Sequence, residues 1–366
     1  MRVKAAVAQR AGEPFAIEEL DLGDPRDGEV LVRIHAAGVS HLDLRVRDGE
    51  LLTPLPAVPG REAAGRVERV GAGVGGVAPG DRVVLTFLAG ERGPGAAPAG
   101  WPYGPDVFEI NFSGVRRDGS SPLRRLDGTP VAGAFFGQSS FATHALAREE
   151  NLVRVAEEAP WPVLAALGGD VQIGAGAVIG TLRPRPGDSI AIFGAGAAGL
   201  GAVLAARLAG CHPIVAVDIK ASRLALAESF GATMTVDPDG LEPVGAIRDL
   251  TGAGADFSLD TTGAPAVVRQ AVECLAPGGV CALAAMGPQD AEATLGLTRL
   301  LLGRTVRGSL FGGCAPAVLV PRLLEFRRQD RFPVDPIIRT YPLEEVNRAA
   351  EDLVSGMAVK PILLMG

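Results

Sequence analysis

Ile190-Ala191-Ile192-Phe193 followed by Gly194-Ala195-Gly196-Ala197-Ala198-Gly199 decides the fold. A short apolar run enters a G-x-G-x-x-G turn, and an Ala- and Leu-rich stretch, Leu200 to Ala209, leaves it. The order predicts strand, turn and helix. A second apolar strand, Pro213 to Val217, ends at Asp218, about 20 residues beyond the last glycine. These contexts raise a weak motif to a dinucleotide site. Gly194 permits the tight turn, Gly196 lets the backbone approach a pyrophosphate, and Gly199 lets the helix pack close to the strand. The helix N-terminus at Ala197 and Ala198 presents N–H groups and a partial positive charge to phosphate. The Asp218 carboxylate can accept from both ribose hydroxyls and would repel a 2′-phosphate, which predicts NAD over NADP. Lys220 and Arg223 lie nearby and soften that preference, so NADP stays possible.

Downstream the alternation continues. A helix is expected from Ser222 to Phe230, strands at Asp256 to Asp260 and Val280 to Ala284, and a helix from Ala264 to Leu275 between them. Strands alternating with helices at this spacing predict a doubly wound parallel sheet over residues 161–314. Upstream the texture is different. Glu29 to His35 alternates Val30, Val32 and Ile34 with other residues, as a half-buried strand does,. Glu62 to Val70 and Asp81 to Phe87 read as further strands, and Met1 to Val7 as another. Residues 1–160 therefore form a β-rich domain, with a Gly-, Ala- and Pro-rich loop from Ala89 to Pro105,. The tail, residues 315–366, ends in the strand-like Lys360-Pro361-Ile362-Leu363-Leu364 and is expected to rejoin that first domain. The fold class is α/β.

At 366 residues there is chain enough for two domains,. A net charge of -7 argues against a nucleic-acid surface,. There is no unbroken apolar run long enough for a membrane helix, and the N-terminus reads as a strand and not as a signal peptide,. A cytoplasmic location is expected. Cys211, Cys274, Cys281 and Cys314 form no close pair and read as reduced, mostly buried thiols,.

Six motifs span nearly the whole chain: Gly38-Val39-Ser40-His41-Leu42-Asp43, Arg47-Asp48-Gly49, Pro59-Gly60-Arg61-Glu62, Gly80-Asp81-Arg82-Val83, Phe135 to Ala142 and Gln172 to Ala177. With them the sequence resembles the medium-chain dehydrogenase/reductase superfamily, and within it the zinc-type aryl (benzyl) alcohol dehydrogenases. The resemblance implies a GroES-like β-rich catalytic domain and a Rossmann domain, with substrate in the cleft between them. It also implies a homodimer or homotetramer, with Ala282 to Met286 and Val306 to Phe311 as candidate contact stretches.

The departures from that family are specific. It carries Cys, His and Cys as the three zinc ligands where this chain has Ser40, Arg61 and Gly169. A hydroxyl is a poor zinc ligand at neutral pH, a guanidinium has no free lone pair, and glycine has no side chain. The four-cysteine structural lobe is absent too, since Ala89 to Gly104 contains no Cys. No zinc is therefore expected at either place. Leu42 stands where the family relays the substrate proton through Thr or Ser, so that step is also missing.

The polar residues left at the old metal position are Ser40, His41, Asp43, Arg61, Glu62 and Asp170. Arg61, paired with Asp43, Glu62 or Asp170, either stabilises developing negative charge on a substrate oxygen or only props up the site. His41 stands where the family places a basic contact to the cofactor pyrophosphate, and a proton-donor role is the alternative. Three enzymatic functions remain open, beside a pure binding or regulatory role. One is zinc-independent, NAD(P)H-linked hydride transfer to an activated C=C, C=N or C=O. The second is zinc-free alcohol and aldehyde interconversion. The third is a non-redox cyclisation, isomerisation or elimination that keeps the cofactor as a structural part. Leu42, Leu51, Leu52, Trp101, Phe112 and Met286 are apolar candidates for a small hydrophobic substrate's pocket.

Overall fold

The computed structural model describes residues 1–88, 104–156, 159–288 and 290–366. Most of the loop expected from Ala89 to Pro105, with Trp101, lies outside them.

The chain folds into two units, Met1–Gly169 with Asp335–Gly366, and Asp170–Val334. The tail does return to the first unit, but both boundaries fall later than the sequence suggests. Packing explains the shift. Helix Trp161–Ala166 lies on strands Glu29–Gly38 and Ala63–Val70 and stays with the first unit. Helix Pro316–Arg328 packs on helix Asp170–Gly176 and stays with the second.

The first unit holds an antiparallel sheet and a larger mixed one, in which Ile338–Pro342 and Lys360–Leu364 pair in parallel and the other strands antiparallel. Arg2–Val7 pairs with Ala16–Leu22, which continues to Leu123–Arg124 and Pro130–Val131. The larger sheet runs Ile338–Pro342, Lys360–Leu364, Glu29–Gly38, Ala63–Val70, Arg82–Leu85 and Leu152–Arg154, with His144–Arg148 also paired to Glu29–Gly38. One core joins them, with Val3, Leu20, Val30, Leu31, Val32, Ile34, Val67 and Phe141 at its centre. Strand Glu29–Gly38 is buried on both faces, not on one. The helix Trp161–Ala166 covers the face that alternation alone assigns to solvent.

The second unit is a six-stranded parallel sheet in the order Met234–Val236, Ile214–Val217, Ile190–Phe193, Ala255–Asp260, Leu275–Leu283, Thr305–Gly308. Ile190–Phe193 and Ile214–Val217 are buried at every residue, as parallel strands covered on both faces must be,. Helices Ala197–Ala209 and Ala221–Phe230 each end on a left-handed glycine, Gly210 and Gly231,. Among the described residues no helix is long and apolar enough to cross a membrane. Cys211, Cys274 and Cys281 are buried and Cys314 half-buried, all as free thiols. Burial pushes the Cys281 thiol up to about 12 and the Cys211 thiol, with Asp188 nearby, to about 11.

Candidate active site

The glycine loop is built as its sequence requires. Gly194 has a φ of 89°, a left-handed value that a side chain would strain,. A Cβ on Gly199 would overlap the Gly194 carbonyl oxygen, so only glycine lets this helix start so close to its strand. At Gly196, the N-cap of Ala197–Ala209, an added Cβ would meet nothing within 4 Å. No side chain caps that helix, so its first N–H groups keep their donors for a ligand,. A dinucleotide's pyrophosphate fits this cradle.

Asp218 is buried and turned toward the loop. Its Oδ2 accepts the Ala195 N–H at 2.6 Å and its Oδ1 accepts the Lys220 N–H at 2.8 Å. An ionised carboxylate offers about four lone-pair sites, so two remain for ribose hydroxyls. Arg223 Nη1 stands 3.8 Å from Asp218 Oδ2, and Arg223 Nε is buried without a hydrogen-bond partner.

The second cluster lies wholly within the first unit. Ser40 ends the strand region and precedes the short helix His41–Arg47. Asp43 reaches back one turn: its Oδ2 accepts the Ser40 N–H at 2.8 Å and the Ser40 hydroxyl at 2.7 Å. Its Oδ1 accepts the Gly60 N–H at 2.9 Å. Burial holds the Asp43 carboxyl above its usual range, outweighing the Arg61 charge and these donors, which pull it down,. Arg61 Nε donates to Ser40 Oγ at 2.8 Å, and Arg61 is only 3% exposed.

The strained segment Phe135 to Ser140 holds Arg61 from the other side. Phe136 and Ser139 have φ values of 52° and 49°, conformations that persist only where their surroundings enforce them,. The Phe136 ring centroid lies 5.8 Å from Arg61 Cζ. Gln138 Nε2 donates to the Arg61 carbonyl at 2.9 Å and to the Thr86 carbonyl at 2.8 Å. Phe112, a sequence candidate for the pocket, is instead core, edge-on to Phe135 and Phe136.

Glu62 pairs with a buried lysine. Its Oε1 accepts from Lys360 Nζ, and both side chains are completely buried. The carboxylate runs between two glycines. A Cβ at Gly38 would stand 2.8 Å from Glu62 Cδ, and one at Gly169 would stand 2.7 Å from it.

Residues 26–157 match the family described as the alcohol dehydrogenase GroES-like domain, and residues 197–326 the family described as zinc-binding dehydrogenase. The chain belongs to the zinc-type alcohol dehydrogenases of the medium-chain dehydrogenase/reductase superfamily. It is 41% identical to geraniol dehydrogenase of Castellaniella defragrans over 99% of this chain and 97% of that one. An alcohol dehydrogenase zinc-binding domain protein from Burkholderia ambifaria superposes with a TM-score of 0.96 at 46% identity, covering 100% and 99% of the two chains. Benzyl alcohol dehydrogenase from Acinetobacter calcoaceticus superposes with a TM-score of 0.93 at 37% identity, each chain fully covered. This dehydrogenase is thus an NAD(P)-linked oxidoreductase with a GroES-like unit and a Rossmann unit.

Within the dehydrogenase, Ser40, Asp43 and Arg61 come together through hydrogen bonds. His41 is the exposed first residue of its helix. Asp170 opens helix Asp170–Gly176 of the other unit. Of the remaining apolar candidates, Leu42 and Leu51 are half-buried and Leu52 and Met286 exposed. Sequence reasoning missed Lys360, Gln138 and Phe136. A lysine inside the apolar terminal strand was the available signal for Lys360, because a buried ammonium needs a buried carboxylate. Gln138 and Phe136 lie in the Phe135 to Ala142 motif, but nothing in its residues announces the Gln138 bonds to main-chain carbonyls or the Phe136 contact with Arg61.

Proposed function

We propose that this dehydrogenase acts without a metal where the family resemblance places zinc, and that Arg61 supplies the positive charge there. One observation carries this reading: a buried guanidinium held at Nε by Ser40. The residues present do not fit a divalent ion. Ser40 Oγ is committed to Asp43 and Arg61. The guanidinium has no lone pair to give. Gly169 offers no donor, and a side chain there would run into the Glu62 carboxylate.

Gly194, Gly196, Ala197, Ala198, Gly199, Asp218 and Arg223 would hold the dinucleotide, with His41 a further contact from the first unit. Asp218 favours NAD over NADP by repelling a 2′-phosphate. When bound, the reduced nicotinamide supplies a hydride, two electrons, to an electrophilic carbon. The substrate class follows from the electrostatics. Without a Lewis acid, a substrate must carry its own activation, as a conjugated enal, a quinone or an iminium does. In an enal the added electron pair ends on the carbonyl oxygen as an enolate, and a proton from water completes the product. Arg61 lowers the barrier by stabilising that oxygen's charge. The names of the relatives support a small hydrophobic allylic or aryl compound. They also favour a second reading, reversible alcohol and aldehyde interconversion with Arg61 facing the alkoxide.

The decisive experiment mixes the purified protein with NADH or NADPH and geranial or cinnamaldehyde, follows the reduced-nicotinamide absorbance, and identifies the product. A saturated aldehyde supports the first reading and an allylic alcohol the second. Metal analysis accompanies it, and stoichiometric zinc whose removal abolishes turnover would refute both. A homodimer or homotetramer is also proposed. The strand Thr305–Gly308 is an open sheet edge, and Leu297 and Leu301 are 76% and 85% exposed,. A monomer by light scattering would exclude it. A cytoplasmic location fits the four free thiols,.

A further inference from the structure

We propose that Ser40 and Asp43 are positioning residues that aim the Arg61 guanidinium, with the Ser40 hydroxyl bridging cation and carboxylate. This rests on the reading that Arg61 acts on the substrate oxygen.

With Asp43 ionised, the direction of every proton in the chain is fixed by chemistry. Arg61 Nε–H can only donate, and an ionised carboxylate can only accept. The Ser40 hydroxyl lies between them, at 2.8 Å from Nε and 2.7 Å from Asp43 Oδ2. Its proton must therefore point at Asp43 and its lone pair at Arg61. Three donors, Ser40 N–H, Ser40 O–H and Gly60 N–H, converge on Asp43 and fix its two oxygens. These are demands that the ionised carboxylate meets.

The guanidinium is planar, so pinning Nε sets the direction in which both Nη groups point. The Phe136 ring limits motion on its side of the plane. Gln138 ties the Arg61 main chain to Thr86. Side chain, ring and backbone thus hold the charge, and the Ser40 hydroxyl meets it at Nε. A residue at position 40 that only filled space would not need an oxygen at this place. Alanine would leave Nε–H without its acceptor. Threonine would keep the acceptor and add a methyl.

The test compares Ser40→Ala, Ser40→Thr and Arg61→Lys in the full-length protein, using NADH with geranial or cinnamaldehyde. In parallel, 15N NMR follows the Arg61 Nε–H resonance, assigned by its loss in Arg61→Lys. We expect Ser40→Ala to lower kcat about 10- to 100-fold, the scale of a misplaced catalytic group, with KM within about threefold. The Nε–H resonance should shift and exchange faster. Ser40→Thr should restore both. Should Ser40→Ala keep its kcat and lose only thermal stability while Arg61→Lys is impaired, the positioning role is overturned and the Arg61 reading stands. An unshifted Nε–H resonance in Ser40→Ala overturns it as well. Full activity in Arg61→Lys, or no wild-type turnover of either aldehyde, removes the Arg61 reading and this inference with it.

Discussion

Replacing Lys360 by methionine should destabilise the first unit by about 3–5 kcal/mol, the cost of leaving a buried charge without its partner. The number follows from the site. Lys360 and Glu62 side chains are both completely buried, so neither can recover solvation when the other is removed. Methionine keeps most of the side-chain volume, which limits any cavity contribution. What remains is the buried Glu62 carboxylate deprived of its lysine and wedged against Gly38 and Gly169. For a unit of about 200 residues this corresponds to a melting temperature roughly 6–20 °C lower. Trp161 is a suitable probe, because it is stacked on His35 at 4.3 Å and lies under Arg82 within the same unit. Its fluorescence would be followed through urea and thermal unfolding. The companion variant, Glu62→Gln with Lys360→Met, removes both charges and should recover most of the loss, because a neutral buried pair no longer carries an unpaired ion. A loss below about 1 kcal/mol for the single variant, or a double variant no more stable than the single, would show that the pair is solvated and that the reasoning is wrong.

Gly169→Ala should cost about 1–3 kcal/mol, as overpacking does, because its new methyl meets the Glu62 carboxylate; a neutral result by urea unfolding would mean that Glu62 moves aside freely. NADH should bind at least about tenfold more tightly than NADPH, a difference of about 1.4 kcal/mol, and fluorescence titration showing equal affinity would mean that Arg223 has overridden Asp218. Burial, with Arg33, Arg66, Arg82 and His144 adding repulsion, holds the native His35 below its usual 6.5. Unfolding then takes up a proton, so stability should fall as pH drops through 6.5 and continue falling toward the native value. His35→Phe, which keeps a ring against Trp161, should flatten that dependence in urea unfolding between pH 7.5 and 5.5; an unchanged slope would assign it elsewhere.

The dinucleotide half was legible from residues alone because its determinants are local. A φ that only glycine tolerates at Gly194, a close approach at Gly199 and an acid closing the next strand all fall within one supersecondary unit. The strands and helices expected there lie within about five residues of their observed ends, while the sequence reading misses strand Met234–Val236 and helix Pro243–Thr251. Ser40, Arg61 and Gly169, which the resemblance sets at the family's ligand positions, could also be read directly, because what a side chain can offer a metal is a matter of its own chemistry.

Tertiary structure decided what those residues amount to. Sequence offered Asp43, Glu62 and Asp170 as partners for Arg61, with nothing to choose among them. Folding placed Ser40 between Arg61 and Asp43. It brought Lys360, nearly 300 residues downstream of Glu62, to that carboxylate. It also placed the boundary between units at Gly169, because residues 161–166, assigned by sequence to the second unit, form a helix that covers strands of the first. Chain-local sterics and the 2.0 and 3.6 periodicities are written in the order of residues. The pairing of buried charges is not, because it depends on which strands become neighbours and on the desolvation that forces each buried ion to find another.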